Sequence, residues 1–560
     1  MREQADLTMR REASSLVGCV VVFIALASLR VRDHTHPYYD DVAFLDLGNQ
    51  VRELGGPLAL VRALFSGKWL EDARNPLYFS ILSLIAGRDP GYHTRAQMLN
   101  VALGVLALIT WWWVARRHIG RKPALALAAF MAVSETLIEY SGRESAEPVL
   151  ITLWALSLGA IFDGVKRPRA WLVAGFMAGI AQLDKGSGIF IMFCFGFSLL
   201  CFRGLTAFGD IYAWGSGLMF VVAASPILVR NVRVYGSILH HWNNQMIWID
   251  RLPDFAEIYA PKAFDHLPQG FLQWWQRTTW HEIWFGRCVM GVAETAVHLG
   301  DAMSLVAPSP LGLLHRPGVV IGFVLMLVAL RLIWRTPSSF PRTFLLVQAA
   351  FFMIFFCGFS VAGGSSRYVF PMTLTLVAVL ARRAVYRPEW LKRWAAFATV
   401  SVAVAVVFDP FPRRLPQKFG EAQSWLARTL KPGEAYAVDS RSQFDPAWLL
   451  PASNKMEIVS STWARKPLEP GDILPYLRSL GVAFVLLDAT SQKDGEPRYL
   501  FFDRLPLTRD GRLILEALPE GLTEAWVSED GRLAILSLSR ENQDHGEPKG
   551  KEPSDARHQQ

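Results

Sequence analysis

The chain has 560 residues, 52% of them hydrophobic and 19% charged, with a formal net charge of +8 and a mean hydropathy of +0.23. A soluble protein of this length would carry more charge and shorter apolar runs, so the composition points to a polytopic membrane protein. The excess of Lys and Arg is no sign of nucleic acid, because it stands in short clusters between apolar runs, where it sets membrane orientation.

The first apolar run, 13–30, carries Leu16-Val17-Gly18-Cys19, which imitates a lipoprotein cleavage box. Its apolar core follows Cys19 rather than preceding it, and no small-residue cleavage site closes it, so it is expected to stay as a first span. The five cysteines are scattered and none lies beyond Cys357, which leaves no disulfide framework and no paired thiol motif. Further runs of spanning length fall at 96–115, 123–140, 146–162, 170–184, 187–202, 212–229, 317–334, 342–361, 368–381 and 393–408, about eleven spans in all.

The clusters RRHIGRK (116–122), KRPR (166–169), RLIWRTPSSFPR (331–342) and ARRAVYRPEWLKR (381–393) all fall inside if the N-terminus is cytoplasmic. A first outer loop, 31–94, and a second, 231–316, then face outward with everything after 408. The first loop alternates amphipathic pieces that read as interfacial helices. The second holds Trp242, Trp248, Trp274, Trp275, Trp280 and Trp284, aromatics suited to headgroup depth, with stacking on a sugar ring or lipid chain as the alternative. Residues 1–408 thus form a transmembrane domain. From 409 to 540 helical and strand patterns alternate and end in a hairpin about Asp530-Gly531, a small α/β extracytoplasmic domain; 541–560 read as a disordered tail. The fold class expected is an all-α polytopic membrane protein with interfacial helices and this C-terminal α/β domain.

Arg95, Arg143, Lys185, Arg230 and Arg367 each stand at the outer end of a different span, and Arg74 lies in the first outer loop. Any one of them could snorkel to the headgroups. Together they suggest a shared anionic ligand, such as a phosphate at the outer surface. Acids gather at the same level: Asp40 and Asp41, Glu135 and Glu139, Glu144, Glu147 and Asp184. Asp41 is placed to cap the helix that starts at Val42, and Glu147 to cap the fourth span. Asp40 is harder to explain that way, since one cap needs one acid. His240, His241, His266 and His281 share the second loop with Glu257 and Glu282 but lack metal-ligand spacing. No protein-bound metal is expected, and a loosely held divalent cation stays open.

At this point the sequence resembles a known family. YYDDVAFLDLGNQ (38–50) looks like the acidic pair in the first loop of the GT-C membrane glycosyltransferases, nearest to the protein O-mannosyltransferases, the aminoarabinose transferases of lipid A and their bacterial homologues. RNPLYFSIL (74–82) resembles their KPPLYY segment, YSGRESAEPVL (140–150) their second acidic motif, and AGFMAGIAQLDKGSG (174–188) their GLAFLTKGP segment. SPILVRNVRVYGS (225–237) and SRYVFPM (366–372) resemble two later landmarks. The resemblance implies transfer of a sugar from a polyprenyl-phosphate donor to a hydroxyl on a lipid, glycan or protein, at the outer face of the plasma membrane. It implies Asp40 as general base, with Asp41 and Glu147 beside it. Lys185, Arg143, Arg95, Arg367 and Arg74 would meet the donor phosphate, and Glu144, Asp184 and Tyr78 would orient the acceptor. The pattern departs from the family at Asp41, usually Glu, at Arg74-Asn75 in place of Lys-Pro, and at Asp184 before Lys185. The missing Arg-x-Asp of the second motif leaves Glu144 and Glu147 as rivals. A transporter or flippase is the alternative, but it calls for charges near mid-span and repeated halves, and no repeat is visible. A scaffold or sensor would leave the first-loop acids without a role.

Overall fold

Long apolar runs without internal breakers become helices, and where Pro, Gly or a capping acid interrupts them the helices start and stop. The computed structural model describes residues 2–33, 40–71, 74–87, 89, 91–241, 247–248, 271–303, 324, 327–359, 366–385, 389, 417–439, 455–459, 473–479, 481–489, 508–509, 512–513, 515, 518 and 521–538. The last expected span, 393–408, the tail 541–560, and much of the second outer loop lie outside the described residues.

The membrane part is helical: α1 (Arg2–Asp33), α2 (Asp40–Glu53), α3 (Pro57–Ser66), α4 (Pro76–Leu82), α5 (Gly91–Ile119), α6 (Arg121–Val133), α7 (Glu135–Ser141), α8 (Glu147–Gly164), α9 (Ala170–Asp184), α10 (Gly188–Arg203) and α11 (Ile211–Tyr235). Then follow α12 (Phe271–Arg277), a π-helical turn (Glu282–Val289), α13 (Met290–Ala302), α14 (Phe340–Phe359) and α15 (Ser366–Ala384). Among the described residues, five helices are long and apolar enough to cross a membrane: Glu12–Arg32, Gly91–Ile119, Glu147–Gly164, Gly188–Gly209 and Ile211–Tyr235. Pro57–Ser66, Ala170–Asp184 and Phe340–Phe355 are shorter apolar helices.

Local chemistry sets the boundaries. Pro57, Pro76 and Pro148 occupy first-turn positions of α3, α4 and α8, where a missing N–H costs nothing. Asp210 caps α11 by accepting from the backbone of Tyr212 and Ala213 at 3.0 and 3.3 Å. The run expected as one span at 123–140 is two helices, because Ser134 takes an extended backbone (φ −69°, ψ 120°) between α6 and α7. Ser followed by Glu is a helix-start signal that the surrounding apolar run conceals. Within the second outer loop, α13 packs on α14 and α15 with Thr295 and Leu299 buried; its acids and histidine keep it from reading as an apolar run.

One end of the bundle is basic. Arg116 pairs with Glu12 at 2.8 Å, Arg121 with the same acid at 3.5 Å, and Arg117 with Asp163 at 2.9 Å. The opposite ends of α1, α7, α8, α9 and α15 meet around the site. Their height is set by close helix packing. A Cβ on Gly179 would stand 2.6 Å from the Phe220 carbonyl, and one on Gly175 would overlap that of Ser216, so α9 lies nearly backbone-to-backbone on α11. Trp171 closes the α8–α9 hairpin by donating from Nε1 to the Ile161 carbonyl at 3.1 Å, its ring filling the space beside Gly164.

After 416 the chain forms α16 (Gln417–Thr429), β1 (Ala435–Asp439), β2 (Lys455–Val459), α17 (Ile473–Ser479), β3 (Val482–Asp488), β4 (Thr508–Arg509), β5 (Arg512–Leu513), β6 (Leu522–Val527) and β7 (Leu533–Leu538). The five-stranded sheet has the order β2-β1-β3-β7-β6, with β1 parallel to β2 and β3 and β7 antiparallel to β3 and β6. Both faces are covered. Leu486 and Ile535 pack under α16 with Phe419, Ala422 and Leu426, while Val485, Leu487 and Leu536 pack with Leu477 of α17 on the other side. Two buried faces explain why β3 and β7 are continuously apolar rather than alternating. Ala43, in the first turn of α2, belongs to the α16 cluster.

Two outcomes follow. Gly175→Ala is expected to cost about 1–3 kcal/mol by forcing α9 off α11, read as a lowered thermal midpoint in detergent. Gly217→Ala, whose added Cβ meets open space, is the neutral control; equal midpoints for the two would refute the packing assignment. In the α16–β7 layer, partial burial raises the Asp530 carboxyl, but hydrogen bonds from Lys418, Ser528 and the Arg532 amide outweigh it and hold the group at about 2, below its ordinary 3.8. A depressed folded-state value stabilises above the unfolded one and is lost as pH falls through the folded one. The thermal advantage of wild type over Asp530→Asn should therefore be constant from about pH 7 to 5 and vanish between about pH 4 and 2.

Candidate active site

Asp40 and Asp41 open α2, directly after the residues that follow α1. The side chain of Asp40 lies outside the described residues. Asp41 is buried, 1% exposed, and one of its oxygens accepts from Arg143 Nε at 3.0 Å and pairs with Nη2 at 2.9 Å. Arg143 comes from the turn between α7 and α8, 102 residues away. Behind it Glu139 stands 4.0 Å from Arg143 and 3.8 Å from Arg30.

That turn is held by Asn100 of α5, wholly buried. Its Nδ2 reaches the carbonyls of Arg143 at 2.6 Å, Ser145 at 2.9 Å and Tyr140 at 3.3 Å. Its Oδ1 accepts from the Tyr78 hydroxyl at 2.8 Å, and that hydroxyl accepts from the Ser145 amide at 3.0 Å. Glu144 turns inward and meets His93 Nδ1 at 2.6 Å, both buried. The rival second acid, Glu147, begins α8 and makes different contacts. Lys185 Nζ and Ser145 Oγ bond its two oxygens, and Arg367 Nε lies 3.6 Å from the same oxygen as Lys185.

Lys185 and Arg367 also close one end of a groove lined by Leu150, Trp154, Phe190, Cys194, Phe351, Phe352, Phe355 and Tyr368. The lining descends along α8, α10 and α14, away from the charged mouth. Both cations stand 5.0 Å from the Tyr368 ring. Tyr140 joins the two charged clusters, with the Arg367 guanidinium 5.8 Å and that of Arg143 6.0 Å from its ring. Asp41, Arg143, Arg367, Glu147 and Lys185 are thus one contiguous patch. It sets two cations at one end of an apolar pocket, one tyrosine ring away from an arginine–carboxylate pair.

The other candidates stand elsewhere or play framework parts. Arg95 forms a surface pair with Asp89, two contacts of 2.8 Å, and that hydrogen bonding holds the Asp89 carboxyl at about 2. Arg74 lies over the Phe44 ring at 5.8 Å and 4.0 Å from Glu71. Arg230 is buried, ties α11 to the Glu71 carbonyl and donates from Nε to its neighbour Asn231 within the same helix. Asp184 is buried at the end of α9, within electrostatic reach of Glu147 and Lys185. Tyr78 is buried and organises the turn rather than facing the groove. His240 stacks on Tyr235 at 3.8 Å and His281 on Phe285 at 5.6 Å, and His266 lies outside the described residues. Among the described residues no cluster of three His, Cys, Asp or Glu side chains could hold a metal.

His93 and Asn100 were not singled out from the sequence. With Gln97 they form a buried stripe spaced 93, 97 and 100, one face of a helix. Buried polar groups at helical spacing on an apolar span are the signal that would have found them.

Fold and site define a polytopic membrane protein whose apolar groove ends in a cation pair beside a carboxylate-bearing helix. Residues 81–229 match the family model "Dolichyl-phosphate-mannose-protein mannosyltransferase", in agreement with the GT-C resemblance read from the motifs in that stretch. A search of curated proteins finds no match. Among solved structures, the oligosaccharyltransferase of Archaeoglobus fulgidus is similar at 14% identity and a TM-score of 0.46, over 85% of this chain and 68% of that one. ArnT from Cupriavidus metallidurans bound to undecaprenyl phosphate is similar at 13% identity and a TM-score of 0.39, over 93% and 98%.

Replacing Asn100 with Leu strands three carbonyls and the Tyr78 hydroxyl out of water. At roughly 1–3 kcal/mol for a buried group left unpaired, Asn100→Leu should lower the thermal midpoint by several degrees. An unchanged midpoint would show that the turn holds Arg143 without it.

Proposed function

We propose that the protein is an integral-membrane glycosyltransferase that moves a sugar from a polyprenyl-phosphate donor to a hydroxyl acceptor. The observation that carries this reading is the single patch in which an apolar-lined groove ends at Lys185 and Arg367, one tyrosine ring from Arg143 and Asp41. The match to the mannosyltransferase family model over 81–229 supports the same class.

In this scheme the polyprenyl chain lies along the aromatic lining and its phosphate meets Lys185 and Arg367. The sugar is then held near Tyr140, between the cations and the start of α2. The acceptor oxygen attacks the anomeric carbon from the side opposite the phosphate, so the centre inverts. The bond from the anomeric carbon to the phosphate oxygen breaks and its electron pair stays on the phosphate, where the two cations stabilise it. The hydroxyl proton passes to Asp40, while Asp41 stays engaged with Arg143 and fixes the first turn of α2. The basic bundle end around Arg116, Arg117 and Arg121 would lie in the cytoplasm by the positive-inside rule. The site end then faces outward, where donors flipped across the membrane and extracytoplasmic acceptors meet. A transporter would be expected to place its ionisable groups near mid-span, whereas this patch stands at helix ends.

The test is release of free polyprenyl phosphate by purified protein given candidate polyprenyl-phosphate sugars. Asp40→Asn should lower turnover by about 10²-fold or more with the thermal midpoint unchanged. Turnover equal to wild type would remove Asp40 as the base.

A further inference from the structure

We propose that Glu147 sets the preference of the pocket between the donor and the spent carrier, weakening the hold on the product so that it leaves. The inference rests on the lipid-phosphate reading above. Its basis is where the carboxylate stands. The Glu147 side chain is 5% exposed, whereas Lys185 and Arg367 are 24% and 26% exposed and line the groove. The cations therefore show one side to the groove and the other to a buried acid, and a phosphate arriving along the groove meets the pair with a negative charge behind it.

The two ligands differ in charge. The donor is a phosphodiester with one negative charge. Breaking the bond to the sugar leaves a monoester, which carries about −1.5 to −2 near pH 7 because its second ionisation lies near 6. Both the attraction to the cations and the repulsion from Glu147 scale with ligand charge. A pocket of Lys185 and Arg367 alone would hold the product more tightly than the donor, which is the wrong order for turnover. Glu147 repels the product nearly twice as strongly as the donor and so offsets that bias. The same charge opposes the chemical step, during which the phosphate gains its charge, by up to the same factor; release is improved at that cost. Glu147 touches neither the sugar nor the acceptor in this scheme, and it acts through the two cations as a specificity-determining residue.

The experiment measures binding of two probes to the purified full-length protein in lipid nanodiscs at pH 7.5: undecaprenyl monophosphate and its methyl diester. Glu147→Gln should shift the ratio of the two affinities toward the monoester by roughly tenfold or more, with a matching rise in product inhibition. Glu147→Asp, which keeps the charge, should stay near the wild-type ratio. Glu147→Asn is a second neutral replacement should the Gln variant fail to fold. An unchanged ratio, or equal weakening of both probes, would show that Glu147 only holds the cations in place and would overturn the proposal. Binding of neither probe by the wild type would overturn the lipid-phosphate reading as well.

Discussion

A cation at the end of an apolar helix, next to a bilayer, stands only if an anion or water meets it, and the site end of this bundle is organised by that requirement. Arg143 meets Asp41, and Lys185 and Arg367 meet Glu147. Buried pairs of this kind are poor sources of stability, since apolar packing of the same volume often does as well. What they supply is placement. Each pair joins segments far apart in the chain, α2 to the turn before α8, and α8 to the ends of α9 and α15. Three cations are thereby fixed by the fold itself; on the proposed function, cations already in place would need no reorganisation when charge develops on a leaving group.

The polar framework behind the pairs matters as much as the pairs. The turn at 142–146 carries Arg143 one way and Glu144 the other, and Asn100 and Tyr78 hold its backbone between them. On the far side, Gly175 and Gly179 let α9 approach α11 so closely that the position of Lys185 at its end is determined by backbone contact rather than by side-chain fit. The groove follows from the same placement, because side chains of α8, α10 and α14 line it together. Phe190 meets Phe355 edge-on at 5.1 Å, which keeps the lining apolar as far as the charged mouth.

Much of this was legible in the chain itself, for physical reasons. Apolar runs and basic clusters act over one segment at a time, so most of the described spanning helices, the basic clusters and the strands around Asp530-Gly531 could be read directly. The meeting of Lys185, Arg143 and Arg367 was legible only as charges at the same end of several spans. What that reasoning could not assign was partnership. Arg95 looks like Arg143 in the sequence, yet Asp89, six residues away, satisfies it at the surface. Glu144 and Glu147 are three residues apart on either side of a helix start, and only the fold sends one to His93 and the other to Lys185. The broken third span and α13 were concealed for the opposite reasons, an apolar context hiding a start signal and polar residues hiding a packed helix.

The acids of α2 are placed by more than the Arg143 pair. Within one fourteen-residue helix, Ala43 packs into the α16 cluster of the C-terminal layer, Leu45 into the main bundle core, and Leu47 and Val51 into the cluster formed by α3, Trp69 and Phe79. Successive positions along a helix point in different directions, so a short helix can serve three bodies only by lying at their junction. Asp40 and Asp41 are the first two residues of that junction. Ala43 thus joins the C-terminal layer to the first turn of α2, while Leu45 and Tyr78, which meets Phe44 edge-on at 4.9 Å, tie the same turn to the membrane bundle. A layer so far along the chain thus meets, through Ala43, the helix that Asp40 and Asp41 open.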